Sequence, residues 1–251
     1  MKRIIAATAT IGACLSVVAA QGPPGEFGPP DIRDPQRPLR LLVAGSSEQF
    51  ADTAFTAMLD ALPEVRWTSA VMPKDAALLS PGLEQEYDAL LIADSYERTA
   101  AERTALGQLV SSRIGIVILN PSNQTFREAP GLIGGKASPA AGDATRMTVM
   151  PAADAAHPVT RGVGSFVLTD RVTTTVERTP DTLPVLRTSD APPGDDGVLA
   201  WSLMYGEPYG LTRVLVMRIG QQRTAWEDPN VRRVLAQGLN WTACAVWGRF
   251  C

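Results

Sequence analysis

The chain has 251 residues, 23 basic and 26 acidic side chains, a formal charge of −3, three cysteines and a single histidine. It holds no block of Lys and Arg that would release counterions from a phosphate backbone, so nucleic-acid partners are excluded. One histidine and three cysteines are too few for an ordinary zinc site, and neither a bound metal nor another cofactor is expected.

In chain order, "MKRIIAATATIGACLSVVAAQG" opens with Lys2 and Arg3, continues as an apolar run, and places Val18 and Ala20 at the minus-three and minus-one positions of a cleavage site. This predicts a signal peptide over residues 1–20 and an exported protein, periplasmic or secreted, with no transmembrane span once the signal is removed. The rival reading takes "IGAC" as a lipoprotein box with Cys14 acylated, but the apolar run continues past Cys14 and suits ordinary cleavage better. Cleavage removes two positive charges and leaves a mildly acidic chain with two cysteines, Cys244 and Cys251, in a tail over residues 244–251. In an oxidising compartment the two can pair, closing a short loop for a stabilisation on the order of 2–3 kcal/mol; the alternative is two free thiols.

Residues 21–38 include six prolines and read as a semi-extended linker ahead of one domain over residues 39–243. "LRLLVA" (39–44) is a short apolar run of the kind buried in a parallel sheet, and Phe50, Ala54, Phe55, Met58, Leu59 and Leu62 follow at helical spacing. "VRWTSAV" (65–71) alternates like a strand, and "DALLIAD" (88–94) is a second buried run. Thr99 and Glu102 then form the capping box of a helix, and "IGIVILN" (114–120) is a third buried strand. From about residue 140 several strand-like stretches extend or flank the sheet. "PPGDDGV" around Asp195 and Asp196 reads as a solvated turn, with a carboxylate calcium site as the alternative. Asp228 as N-cap, Pro229 at the first helical position and a stripe of Val231, Val234, Leu235, Leu239 and Thr242 mark the last helix. Such alternation predicts an α/β fold with a parallel sheet covered by helices on both faces.

Ligands of open α/β sheets bind beyond the carboxyl ends of the strands. Here those ends supply Ser46, Asp94, Tyr96, Asn120 and Ser122, although Ser, Asn and Asp also collect in any loop. "GSSEQF" lacks both the P-loop lysine and the spaced glycines of a dinucleotide site. A triad of Ser122, His157 and Asp94 or Asp170 can be written down, but no glycine-flanked nucleophile elbow supports it. Trp201, Tyr205, Tyr209 and Trp226 offer an aromatic platform for a sugar; the competing reading buries Trp201 and Trp226 as packing.

Several stretches together resemble a known family: "YDALLIAD", "GIVILN", "FREAPGLIGGK", "AAHPVTRGVGSFVLTD", "VLAWSLMYG" and "VLVMRIGQQRTAWEDPNVRRVLAQGLNWTA". In order they resemble the ThuA-like (trehalose-utilisation) family over roughly residues 39–243. The resemblance implies a flavodoxin-like three-layer sandwich with a mainly parallel sheet, of the class I glutamine amidotransferase-like type, and an association with sugar utilisation. His157-Pro158 matches the family's His-Pro, Trp201 its late-strand tryptophan, and Asp228-Pro229 with Trp241 its closing helix.

The departures are informative. Where the family's third strand commonly ends in histidine this chain has Asn120, and where the late strand is followed by Gly-His it has Gly220-Gln221. The family's Asp-Glu with a nearby tyrosine becomes Asp170-Arg171 with Thr173, and the amidotransferase cysteine is absent, so glutamine hydrolysis is not expected. A histidine before proline suits a loop that caps or orients the chain, and with its partners replaced His157 reads as structural before catalytic. The leading expectation is an exported protein that binds a carbohydrate or related small polar ligand through Ser46, Asp94, Tyr96, Asn120, Ser122, Gln221 and Trp201, with weak or absent catalysis. Two alternatives stand beside it: a sugar-processing enzyme using Asp94 or Asp170 as acid or base with His157 assisting, and a non-catalytic envelope interaction domain. The oligomeric state has no signal in the sequence.

Overall fold

The computed structural model describes residues 37–80, 82–93, 99–109, 114–121, 130–139, 143–152, 157–172, 174–191, 193–205 and 212–247. The signal peptide, Cys14, most of the linker and Cys251 lie outside them, as do Asp94, Tyr96, Ser122, Thr173 and Tyr209, and the side chain of Cys244 is likewise outside.

The apolar runs become the strands of one nine-stranded sheet. Strands β1 (Leu39–Gly45), β2 (Val65–Val71), β3 (Ala89–Ile92), β4 (Gly115–Leu119) and β11 (Thr212–Met217) form its parallel half, in the order β2-β1-β3-β4-β11. All four residues of β3 and all five of β4 are buried, as expected of strands covered on both faces. The late stretches extend this sheet antiparallel through β10 (Val198–Tyr205), β9 (Leu183–Thr188), β6 (Thr145–Pro151) and β7 (Phe166–Asp170). A separate ribbon pairs β5 (Gly135–Pro139) with β8 (Thr174–Arg178).

Two apolar layers flank the sheet. On one face Phe55, Met58 and Leu59 of α2 (Thr53–Asp60) and Val231, Val234, Leu235 and Leu239 of α6 (Pro229–Trp247) meet Val117, Leu119, Leu215 and Met217. On the other, Leu106 and Leu109 of α4 (Ala100–Leu109) meet Ile116, Ile118, Val214 and Val216. The fold is thus an α/β sandwich with a large, mostly parallel sheet. Gly115 lets α6 lie directly on β4, since a Cβ there would stand 2.4 Å from the Thr242 backbone.

The caps form as the sequence predicts. Glu102 takes the Thr99 N–H at 2.7 Å while its own N–H reaches Thr99 Oγ1 at 3.2 Å, and Asp228 Oδ1 accepts from Asn230 and Val231 at the start of α6. One helix differs from expectation. The spacing from Phe50 to Leu62 predicts a single helix, but Asp52 interrupts it by accepting the Ala54 N–H at 2.8 Å, which ends α1 (Ser47–Ala51) and starts α2. An internal N-cap competes locally with helix continuation, and the apolar spacing does not register the break. Arg37, read as linker, is held by two bonds to Asp88 at 2.7 and 2.8 Å.

Candidate functional site

Strand register builds the carboxyl edge of the sheet. Ala44, Ile92, Ile118 and Val216 stand side by side on β1, β3, β4 and β11, and two residues further along lie Ser46, Asn120 and Arg218. Their side chains are used differently. Ser46 Oγ accepts the Gln49 N–H at 3.1 Å and caps α1. Arg218 is buried, with its guanidinium forked onto the buried Asp195 and donating to Val198 O at 2.9 Å. The turn expected around Asp195 and Asp196 is present, with Pro193, Gly194 and Asp196 exposed, but the Asp195 side chain is buried against Arg218 while Asp196 binds Arg178. An arginine inside the apolar "RVLVMRI" is the sequence signal that such a counter-charge must exist.

Asn120 is 5 % exposed and has a left-handed backbone, φ 51°. Its backbone N–H bonds Met217 O at 2.7 Å, and Nδ2 donates to Gly220 O at 3.3 Å. Only the nitrogen of the carboxamide can meet that carbonyl favourably, which leaves Oδ1 buried and without a donor among the described residues.

Gly220 belongs to a loop whose shape demands glycine, with φ 101° and a position where a Cβ would fall 2.1 Å from the Trp226 ring. The loop is held by Asp170 at the end of β7. The Gly220 N–H donates to Oδ2 at 2.5 Å, and the N–H groups of Gln221, Gln222 and Arg171 donate to Oδ1 at 3.1, 2.8 and 2.9 Å. Burial pushes the Asp170 carboxyl above the ordinary aspartate range, against the downward pull of these N–H donors. Asp170 is fully buried, and its oxygens are committed to backbone. It therefore lacks the exposed lone pair that an acid or base acting on a ligand needs, which corrects its assignment as a catalytic residue. Gln221 is exposed beside it, at the mouth of the same loop.

His157 belongs to a different place. Its Nδ1 accepts the Val159 N–H at 3.2 Å, capping the 3-10 turn Pro158–Thr160, and its Nε2 lies 3.1 Å from Ser202 Oγ. With Nδ1 accepting, the ring proton sits on Nε2 and is donated to Ser202, so this Ser–His pair is in the wrong tautomer for a general base. Trp241 packs edge-on at 4.9 Å, and burial first, then the Arg213 charge, holds the ring below the usual imidazole range. His157 is bonded to Val159 and Ser202, and Asp170 to Arg171 and the Gly220–Gln222 loop, and no hydrogen bond among the described residues joins the two. The expected catalytic grouping of the two is not formed.

Of the two readings of Trp201 and Trp226, the structure takes packing over the aromatic platform. It is fully buried with its indole N–H bonded to Ile133 O at 2.8 Å, and Trp226 packs edge-on against Phe55 at 5.4 Å. Neither offers a ring face to a sugar. Among the described residues, no three of His, Cys, Asp and Glu gather to hold a metal ion. The structure thus assembles Asn120, the Gly220–Gln222 loop and Asp170; that Asp170 acts as the clamp of this loop is what sequence reasoning missed, because the two segments are fifty residues apart.

With this geometry established, comparison with known proteins is decisive at the family level. Residues 43–242 match the ThuA family, described as trehalose utilisation. The chain belongs to the ThuA family. A ThuA-like protein from Bacteroides uniformis superposes with a TM-score of 0.60 at 18 % identity, covering 88 % of this chain and 95 % of that one. A glutamine amidotransferase from Thermotoga maritima gives 0.53 at 11 % identity, covering 82 % and 98 %. A β-galactosidase from Rahnella gives 0.51 at 8 % identity over 80 % of this chain and 31 % of its own. No curated protein matches the sequence. At these identities the neighbours share a fold with this ThuA member, and the fold alone does not choose among their activities.

Proposed function

We propose that this ThuA-family protein is exported and binds a carbohydrate or a related small polar ligand at Asn120 and the Gly220–Gln222 loop, without acid–base catalysis by His157 or Asp170. The observation that carries the reading is Asn120 Oδ1, a buried acceptor with no donor among the described residues, at the carboxyl end of the parallel strands where open α/β sheets bind ligands. Leaving such an atom unpaired costs about 1–3 kcal/mol, and a left-handed backbone at a non-glycine residue adds to it. A ligand hydroxyl recovers the first cost on binding. Hydroxyl-rich ligands suit an edge where the Arg218 charge is met by Asp195 and where Ser46, Asn120 and Gln221 supply a hydroxyl and two amides.

The test is thermal unfolding of residues 21–251 against glucose, trehalose, their keto derivatives and other mono- and disaccharides. A ligand specific for the native state raises the midpoint. The response should disappear in Asn120→Ala combined with Gln221→Ala; an unchanged response in that variant refutes the site. Export is tested separately by N-terminal sequencing of the secreted protein, which should begin at Gln21.

A further inference from the structure

The Asn120 carboxamide does not choose its own orientation. Its Nδ2 is turned toward Gly220 O, and the peptide carrying that carbonyl is anchored through the Gly220 N–H to Asp170. Asp170 also takes the Gln221 and Gln222 N–H groups, so one buried carboxylate holds three successive backbone donors of the loop. Three successive N–H groups on a turn with positive φ are the ingredients of an anion-binding nest. Here the anion is internal.

We propose that Asp170 is a positioning residue that, through the Gly220 peptide, presents Asn120 Oδ1 as an acceptor and makes this site selective for neutral hydroxyl donors over carboxylates and phosphates. The inference rests on the carbohydrate-binding reading above and deepens it. Three features act in one direction. The backbone donors that would attract an anion are occupied by Asp170. The charge of Arg218, the cation in the strand row, is met by Asp195, with only its Nε unpartnered among the described residues. Asn120 Oδ1, without a donor among the described residues, can only accept, and an ionised carboxylate or phosphate oxygen brings it no proton.

The experiment compares glucose and trehalose with glucuronate and glucose 6-phosphate by thermal shift and calorimetry on the wild-type protein. The proposal expects a neutral sugar to bind at least about tenfold more tightly than either anion. Equal or tighter binding of the anions overturns the selectivity while leaving the carbohydrate reading intact; no response to any sugar overturns that reading and this inference with it. Positioning is read from Asp170→Ala, which empties the nest. The variant should lose the neutral-sugar response by about tenfold or more and regain it when formate is added to occupy the three N–H groups, while formate leaves the wild type unchanged. Loss without rescue in a variant that retains its circular dichroism spectrum overturns the positioning role. If Asp170→Ala does not fold, Asp170→Asn serves: it keeps the shape but turns an amide N–H against a backbone N–H, and unchanged sugar affinity in it refutes the proposal.

Discussion

The His157 corner and the Asn120 edge both bury polar side chains against the same sheet, and they differ in what remains unused. At His157 every strong group is spent: Nδ1 on Val159, Nε2 on Ser202, the ring edge on Trp241. At Asn120 the loop is equally well tied, by Asp170 and by Nδ2, yet one acceptor is left over. The residue type most associated with catalysis thus spends its ring on internal partners, and an amide sits at the edge proposed for the ligand. Unmet hydrogen-bonding capacity, present at Asn120 Oδ1 and absent from the His157 ring among the described residues, distinguishes the two regions.

The comparison breaks most severely at Asp170. Removing the carboxylate in Asp170→Ala strands several buried N–H groups and should cost on the order of 3 kcal/mol, measured as the shift of the urea midpoint at constant slope. A loss under about 1 kcal/mol would mean the loop does not depend on its clamp. Gly220→Ala should follow closely, at roughly 2–3 kcal/mol, because the added methyl meets the Trp226 ring and the backbone is left-handed.

His157→Gln should cost about 1–2 kcal/mol by weakening the cap and unpairing Ser202, with no change in any sugar response. An altered sugar affinity in this variant would tie the two regions together after all. The same histidine gives a pH dependence with a defined sign. Its folded-state pKa lies below 6.5, so the unfolded chain takes up the proton first. The stability it contributes is complete above pH 6.5 and is lost as the pH falls from there toward the folded value. Urea titrations should therefore show a wild-type decline across that window that is shallower in His157→Gln.

The smallest effect on stability is expected at Asn120, the position proposed to meet the ligand. Asn120→Gly relieves the left-handed backbone and removes the orphan oxygen while giving up the bond to Gly220, so stability should change by less than about 1 kcal/mol. The sugar response should vanish. A large destabilisation would show Asn120 to be a brace like His157.

Local order set by neighbours in the chain was legible before any coordinates. The buried runs of β1, β3 and β4, the Thr99–Glu102 box and the Asp228-Pro229 start of α6 each depend on residues a few positions apart, where periodicity and capping chemistry act directly. The ordered set of segments was enough to indicate the ThuA family, and Asn120 could be placed at a strand end. Tertiary structure decided the rest because it depends on segments that only folding brings together. Asp170 meets Gly220 across fifty residues, Arg218 meets Asp195 across twenty-three, and Trp201 loses its ring faces to the core. Charge and hydrogen-bond capacity are written into the sequence; which partner consumes them is settled by packing, and that settlement leaves Asn120 Oδ1 without a donor among the described residues.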